Sequence, residues 1–155
     1  MEFTFGILSI SREPAAKNLQ ENALPVAVML EKAGYRTGRM ESLFTEQKDL
    51  EKHLISWADE QHLDLIVTMG GVSLKPEDTV PEATEAVCSR MIPGIGEAMR
   101  TRCYQITPRA ILSRGTAGIR GKTIILNLPG RAGPAMENLE PILPVLGHAL
   151  EMLSV

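Results

Sequence analysis

Three short segments of the sequence place polar residues or glycines directly after apolar, strand-like runs. They are Ile10-Ser11-Arg12, Met69-Gly70-Gly71 and Asn127-Leu128-Pro129-Gly130. Ligands of an open parallel sheet bind beyond the carboxyl ends of its strands, so these segments are candidates for a ligand site. Glycine has no Cβ atom, and backbone N–H groups at Gly70 and Gly71 can therefore approach a phosphate. The same glycine pair also fits a simple tight turn.

Two carboxylates follow the glycine pair. Asp78 lies in the loop after Gly71, and an aspartate beside a phosphate-binding turn can hold the Mg²⁺ that neutralises phosphate charge. Asp78 could instead form an Asx-turn or introduce the next helix. Glu82 is a candidate second ligand or base. However, Thr79 and Glu82 also have the spacing of a capping box, which would give Glu82 a structural role.

Ser113 and Arg114 form a further candidate pair, directly before Gly115. An arginine at a strand end can bind an anionic group through two parallel hydrogen bonds, although a solvated surface arginine is an equal alternative. The three histidines and two cysteines lack metal-ligand spacing, and no Walker A, zinc or G-x-S-x-G motif is present. The chemistry that these residues indicate is therefore anion binding.

The elements that would position these residues alternate along the whole chain. Apolar runs predict strands at residues 3–10, 35–43, 63–69, 110–113 and 123–128. Periodic patterns predict helices at 24–33, 46–61, 81–91, 95–101 and 133–153, the last one broken by Pro141 and Pro144. Alternating strands and helices favour an α/β domain with a mostly parallel sheet that is covered on both faces.

The composition limits the class of protein. A chain of 155 residues with 44% apolar residues and a net charge of −3 suits one globular domain and excludes disorder. The mild acidity argues against a nucleic-acid partner. Residues 70–131 nevertheless carry nine basic and five acidic side chains and eight of the 13 glycines. A small polyanion needs such a local positive field, not a basic protein.

Nothing in the sequence indicates export or a membrane. The first apolar run is followed directly by charged residues, and the longest one, residues 23–30, is far shorter than the ~20 residues that span a bilayer. Cys88 and Cys103 do not make a disulfide framework. We therefore expect a cytoplasmic protein without a membrane partner.

One continuous segment resembles the hallmark of a known family. Residues 68–84 read T-M-G-G-V-S-L-K-P-E-D-T-V-P-E-A-T and are similar to T-x-G-G-T-G-x-x-x-x-D-x-T-P-E-A-T of the MoaB/Mog family. Further matches follow in order at residues 93–97 (P-G-I-G-E), 110–114 (A-I-L-S-R), 126–130 (L-N-L-P-G) and 144–153 (P-V-L-G-H-A-L-E-M-L). The chain is thereby identified as a member of this family of molybdopterin-binding domains, over essentially its whole length.

The resemblance implies a fold, an activity and an assembly. The fold is a three-layer αβα domain, here one domain over residues 1–155, and members usually form homotrimers. Adenylyltransferases of the family transfer AMP from ATP, with Mg²⁺, to the terminal phosphate of molybdopterin in the synthesis of the molybdenum cofactor. Such a reaction is an in-line displacement at phosphorus, in which the protein mainly positions two polyanions and neutralises their charge.

The resemblance also implies roles for individual residues. Gly70 and Gly71 would cradle phosphate, and Asp78 would hold Mg²⁺ and orient ATP. The pterin side would be lined by residues of two segments, with Ser11 at its edge: Ser113, Arg114, Pro129 and Gly130.

Departures from the family pattern cluster at this predicted site. Val72 and Ser73 replace Thr-Gly of the hallmark, although Ser73 restores a hydroxyl group. Active members have an Asp where this chain has Thr45, a residue more suited to capping the following helix. Glu46 could replace that carboxylate if the loop shifts by one residue.

Two arginines depart from the pattern as well. Arg12 follows Ser11 where the family has Asp, and Arg131-Ala132 replaces the usual Asn-Pro or Ser-Pro. These departures leave two alternatives. The chain is a divergent adenylyltransferase, with Glu46 and Ser73 as substitutes and Arg131 or Lys75 as added anion contacts. Alternatively, the catalytic residues are lost, and the domain binds a pterin or a nucleotide-like ligand or acts through its partners. A nucleotide-processing domain like that of the competence-damage proteins is a third possibility.

Overall fold

A six-stranded mixed sheet forms the middle layer of the computed structural model, which describes residues 2–155. Its strands are β1 (Thr4–Ile10), β2 (Arg36–Leu43), β3 (Leu65–Met69), β4 (Arg90–Met91), β5 (Ala117–Arg120) and β6 (Thr123–Leu128). The spatial order is β2-β1-β3-β6-β5-β4. The first four strands in this order are parallel, and β5 and β4 continue the sheet in antiparallel fashion.

Helices cover both faces of the sheet. They are α1 (Ala15–Asn18), α2 (Leu24–Lys32), α3 (Gln47–Asp59), α4 (Val80–Val87), α5 (Pro93–Tyr104), α6 (Ala132–Leu139) and α7 (Leu143–Leu153). A π-helical turn at Leu19–Ala23 joins α1 to α2, and Pro108–Leu112 forms a 3₁₀ helix. Among residues 2–155, no helix is long and apolar enough to cross a membrane.

The strand sequences explain the two apolar cores. Side chains alternate between the faces of a strand, and neighbouring apolar residues therefore enter opposite cores. Ile7 packs with α2 and α5–α7, whereas Leu8 packs with α3 and α4. Val67 and Ile66 are divided in the same way. Continuous apolar strands are typical of a parallel sheet that is buried on both faces.

The predicted architecture is confirmed, including the three-layer α/β fold and the mostly parallel sheet. Pro141 and Pro144 do divide the C-terminal helical segment, because α6 ends at Leu139 and α7 begins at Leu143.

The strand predicted at residues 110–113 is wrong. This segment belongs mostly to the 3₁₀ helix Pro108–Leu112, and the strand that enters the sheet is β5. Three apolar residues followed by a serine do not distinguish a strand from a helical turn, and the fixed φ of Pro108 favours the turn. The first helical segment also begins earlier than predicted, at Ala15, and the segment predicted as helix up to residue 91 ends in β4.

Candidate functional site

The three predicted strand ends meet at one edge of the sheet. A Cβ atom at Gly70 would lie 2.6 Å from the carbonyl oxygen of Ile10 and 3.7 Å from the Cα atom of Gly130. Gly70 also has a φ angle of +100°, a value that L side chains rarely adopt. Glycine is therefore required at this crossing of the chain.

The two glycines differ in what their backbones can bind. The N–H group of Gly70 donates a 2.9 Å hydrogen bond to the carbonyl oxygen of Leu128, so this group is not free for a phosphate. The N–H groups of Gly71 and Val72 have no acceptor among the described residues. The free donors of this turn therefore lie one residue later than the sequence suggests.

Buried side-chain amides fix the positions of the strand ends. The amide nitrogen of Asn127 donates to the hydroxyl oxygens of Thr68 (2.9 Å) and Thr84 (2.8 Å), joining β6 to β3 and α4. On the opposite face, Asn18 donates to the hydroxyl oxygens of Ser9 (2.8 Å) and Ser42 (2.7 Å). The sequence marks Asn127 only as part of a strand-end segment and does not mark Asn18, because a lone amide carries no motif.

The loop after Gly71 closes on itself through Asp78. The backbone N–H of Ser73 donates to Oδ2 of Asp78 at 3.2 Å, and the Ser73 hydroxyl group donates to the same oxygen. Oδ1 of Asp78 has no hydrogen-bond donor among residues 2–155. Among described residues other than glycine, only His62 has a positive φ, so the backbone of Ser73 accommodates a side chain without strain.

Arg114 holds this loop from outside. Its Nε donates to the carbonyl oxygen of Ser73 at 2.9 Å, and its Nη2 donates to the carbonyl oxygen of Asp78. Nη1 donates to a carboxylate oxygen of Glu82, and this hydrogen bond lowers the pKa of that carboxyl below its ordinary value. Three of the five N–H donors of Arg114 are thus engaged by the protein. Its predicted contact with a ligand stays a prediction.

The capping box predicted for Thr79 and Glu82 does not form. Thr79 is the N-cap residue of α4, but its side chain makes no capping hydrogen bond. The carboxylate of Glu82 pairs with Arg114 instead. A charged hydrogen bond to an arginine is stronger than a bond to a backbone N–H group, which explains the preference.

A cleft of about 740 Å³ opens on the α1 side of the strand ends. The end of β1 and the start of α6 line it, together with buried Asn18 at its base. Charged side chains of both signs lie around it: Arg12, Arg131, Glu13 and Glu21. Ser11 and Gly130 line the same cleft, so two of the predicted pterin-side residues are brought together.

The remaining predicted residues of the pterin side lie close by in the chain fold. Pro129 links β6 to Gly130 and is partly exposed. Ser113 follows the 3₁₀ helix, and its hydroxyl oxygen accepts a 3.3 Å hydrogen bond from the N–H of Gly115. Neither residue lines the first cleft.

A second cleft, of about 800 Å³, opens on the α3 side. Glu46 lines it with Phe44, Thr45, Glu77 and Thr79, whereas Asp78 does not. The structure therefore does not bring Glu46 and Asp78 together in one cleft.

Thr45 does not cap α3, contrary to the sequence-based expectation. Glu46 occupies the N-cap position, and no side chain caps the helix. The hydroxyl group of Thr45 instead donates to a carboxylate oxygen of Asp49 at 3.2 Å. One residue of difference in the helix start thus changes the partner of Thr45.

Asp78 is the carboxylate best placed to contribute to a magnesium site. Within residues 2–155, no group of three or more Asp, Glu, His or Cys side chains could enclose a metal ion. Mg²⁺ often binds through one or two carboxylates together with substrate phosphates and water. The free Oδ1 of Asp78 fits this kind of site, in which the ligand supplies most of the oxygens.

Comparison with known proteins gives a consistent family. Residues 6–148 match the family described as "Probable molybdopterin binding domain". The molybdopterin adenylyltransferase of Helicobacter pylori is 39% identical over 152 residues, which cover 96% of this chain and 86% of that protein.

Solved structures agree with this result. The molybdopterin biosynthesis enzyme MoaB from Thermus thermophilus is 41% identical with a TM-score of 0.88, covering 98% of this chain and 96% of that chain. The molybdopterin biosynthesis Mog protein of Mycobacterium ulcerans is 30% identical with a TM-score of 0.83, covering 99% of both chains.

The fold and the glycine crossing define a three-layer α/β domain with an open, glycine-rich edge at its parallel strand ends. The match over most of the chain shows that the protein belongs to the MoaB/Mog family of molybdopterin-binding domains. It is a protein of molybdenum cofactor biosynthesis, as its hallmark segment predicts.

Proposed function

We propose that the protein is a cytoplasmic molybdopterin adenylyltransferase. The observation that carries this proposal is the meeting of Ile10, Gly70 and Gly130 beside the loop that bears Asp78. A relative at 39% identity over nearly the whole chain is a molybdopterin adenylyltransferase, which supports the same reaction.

The reaction joins two polyanions. A terminal phosphate oxygen of molybdopterin attacks the α-phosphorus of ATP, the bond from that phosphorus to the bridging oxygen breaks, and pyrophosphate leaves. Asp78, together with substrate oxygens, would hold Mg²⁺, which would supply positive charge for the developing negative charge. Most of the rate enhancement in such a reaction comes from positioning and electrostatic stabilisation, and no nucleophilic side chain is needed.

Most predicted residues have a distinct place in this proposal. The free N–H groups of Gly71 and Val72 donate to phosphate oxygens, and Gly70 allows the strand ends to cross closely. Arg114 fixes the loop that carries Asp78 and Ser73. Ser11, Gly130, Pro129 and Ser113 form the pterin side. Glu46 lies in the second cleft, which Asp78 does not line, and it has no role in this proposal.

Incubation of the purified protein with molybdopterin, ATP and Mg²⁺ tests the reaction. We expect adenylylated molybdopterin and pyrophosphate in equal amounts, measured by chromatography. Binding of molybdopterin without any product would contradict the adenylyltransferase proposal and favour the non-catalytic binding module. Binding of neither molybdopterin nor ATP would contradict both functions.

We also propose that the protein is a homotrimer, as members of this family usually are. The segment from the end of α5 to the 3₁₀ helix exposes large apolar side chains that a lone domain would leave in water: Tyr104, Ile106, Ile111 and Leu112. Contiguous exposed apolar surface is typical of protein–protein contacts. We propose that this exposed apolar surface is where the subunits of the trimer contact each other.

Replacing Ile111 and Leu112 together by serine should dissociate the trimer. Both side chains are at least half exposed, so the fold loses little buried area while the contact loses its apolar surface. Light scattering should give three times the chain mass of 16.9 kDa for the wild type and the chain mass for the variant. Serine at Val145 and Met152, which are similarly exposed on α7, should leave the mass unchanged. If the variant at Ile111 and Leu112 stays trimeric, this surface is not the contact between subunits.

A further inference from the structure

Arg12 stacks on the ring of Phe44 at the boundary between the two clefts. Its guanidinium carbon lies 4.1 Å from the ring centroid. Arg12 lines the first cleft and Phe44 lines the second. Arg12 makes no hydrogen bond or ion pair with any other described residue, so all five of its N–H donors remain available.

The sheet register brings these two side chains together. Ile10 of β1 is paired with Leu43 of β2, and the N–H of Ser11 donates to the carbonyl oxygen of Leu43 at 3.1 Å. Arg12 and Phe44 therefore follow the last paired positions of two neighbouring parallel strands. Their contact depends on the backbone of the sheet rather than on a flexible loop.

Stacking prepares the arginine for an anion. A guanidinium held over the face of an aromatic ring can keep its N–H groups free, and these groups match phosphate geometry. The contact also restricts a side chain whose immobilisation otherwise costs free energy on binding. Phe44 is 53% exposed despite its apolar ring, so the stack is not explained by burial of the aromatic side chain.

The surrounding charges leave Arg12 available. Glu13 and Glu21 line the same cleft, but the carboxylate of Glu13 lies 3.8 Å from Nζ of Lys17. Arg131 adds a second positive charge on the opposite side of the cleft, at the start of α6. On the other side of the stack, the second cleft is lined by three carboxylates, Glu46, Asp49 and Glu77, and by one lysine, Lys48. Positive charge for a phosphate at this boundary therefore comes from arginine.

We propose that Arg12, positioned by Phe44, binds a phosphate group of the ligand. Its positive charge neutralises the phosphate directly, whereas a second carboxylate would do so only through a bound metal ion. This inference rests on the proposed function and assigns the phosphate-binding residue within it. The ligand chemistry is a phosphate ester or anhydride, which both ATP and molybdopterin carry. Phe44 is a positioning residue, since it acts through Arg12.

Calorimetric titration with ATP, first without divalent cation and then with Mg²⁺, tests the role of Arg12. Arg12→Ala should weaken ATP or molybdopterin binding by about tenfold or more, as expected for loss of hydrogen bonds to a charged group. The affinity gained from Mg²⁺ should be larger in this variant than in the wild type. Arg90→Ala, which removes an exposed arginine from β4, is the matched control and should bind as the wild type does.

Variants of Phe44 test the positioning. Phe44→Ala should weaken binding severalfold, and Phe44→Trp should restore it because the stack is retained. In the Arg12→Ala background, Phe44→Ala should have no further effect. Equal losses from Phe44→Ala with and without Arg12 would contradict the positioning role.

Parallel titrations with molybdopterin identify the phosphate that Arg12 binds. A loss for ATP alone assigns the nucleotide, and a loss for molybdopterin alone assigns the pterin phosphate; either supports the inference. Unchanged affinity for both ligands in Arg12→Ala would overturn it. Since turnover by the wild type is measured separately, that outcome leaves the adenylyltransferase proposal standing.

Discussion

Asp78→Asn should lower the rate of molybdopterin adenylylation on the order of 100-fold, because it removes the carboxylate charge that we propose holds Mg²⁺ beside the glycine turn. The asparagine oxygen can still accept the hydrogen bond from the N–H of Ser73, so the loop should keep its shape. Single-turnover measurement of product formation at saturating ATP and Mg²⁺ gives the rate.

Two further measurements make this result specific. Thermal unfolding of Asp78→Asn should resemble that of the wild type, which separates lost chemistry from lost structure. Glu85→Gln, which neutralises an exposed carboxylate on α4, is the charge-matched control and should keep full activity. A rate for Asp78→Asn within about threefold of the wild type would remove Asp78 from the proposed catalytic residues.

Gly70→Ala should destabilise the fold by about 3 kcal/mol. Part of this cost comes from the positive φ angle, and part from overlap of the new Cβ atom with the carbonyl oxygen of Ile10, 2.6 Å away. Urea denaturation followed by circular dichroism gives the change in the free energy of unfolding.

Gly34→Ala separates the two contributions. Gly34 has a φ angle of +101°, nearly the same as Gly70, but a Cβ atom there meets no heavy atom within 4 Å. We expect this control to lose only about 1 kcal/mol, the cost of the backbone conformation alone. Equal losses at the two positions would show that the close approach of the strand ends does not require glycine.

Sequence patterns predicted the layers of the fold because they depend on local signals. Apolar runs such as Thr123–Leu128 mark buried strands, and Pro141 and Pro144 mark a break in the last helix. The strand predicted at residues 110–113 is wrong, since the three apolar residues before Ser113 suit a strand and a helical turn equally well. The difference is decided by Pro108 and by contacts with α5, which periodicity does not show.

The candidate site was predicted in its backbone more than in its side-chain bonds. Glycines after strands mark a crossing such as that of Gly70 and Gly130, because topology brings the ends of parallel strands together. The partners of Arg114 lie 32 to 41 residues away along the chain, and no spacing rule connects them. The stack of Arg12 on Phe44 escaped prediction for the same reason, since it depends on the register of two strands.

The bonds of Arg114 have a consequence for how this loop changes over evolutionary time. Two of its three acceptors are main-chain carbonyl oxygens, which every amino acid provides. Substitutions within the loop therefore leave these two hydrogen bonds in place, whereas replacement of Arg114 removes all three bonds of its side chain. Val72 and Ser73 illustrate such tolerated drift: the hallmark letters have changed at both positions, but the carbonyl groups that hold the loop have not.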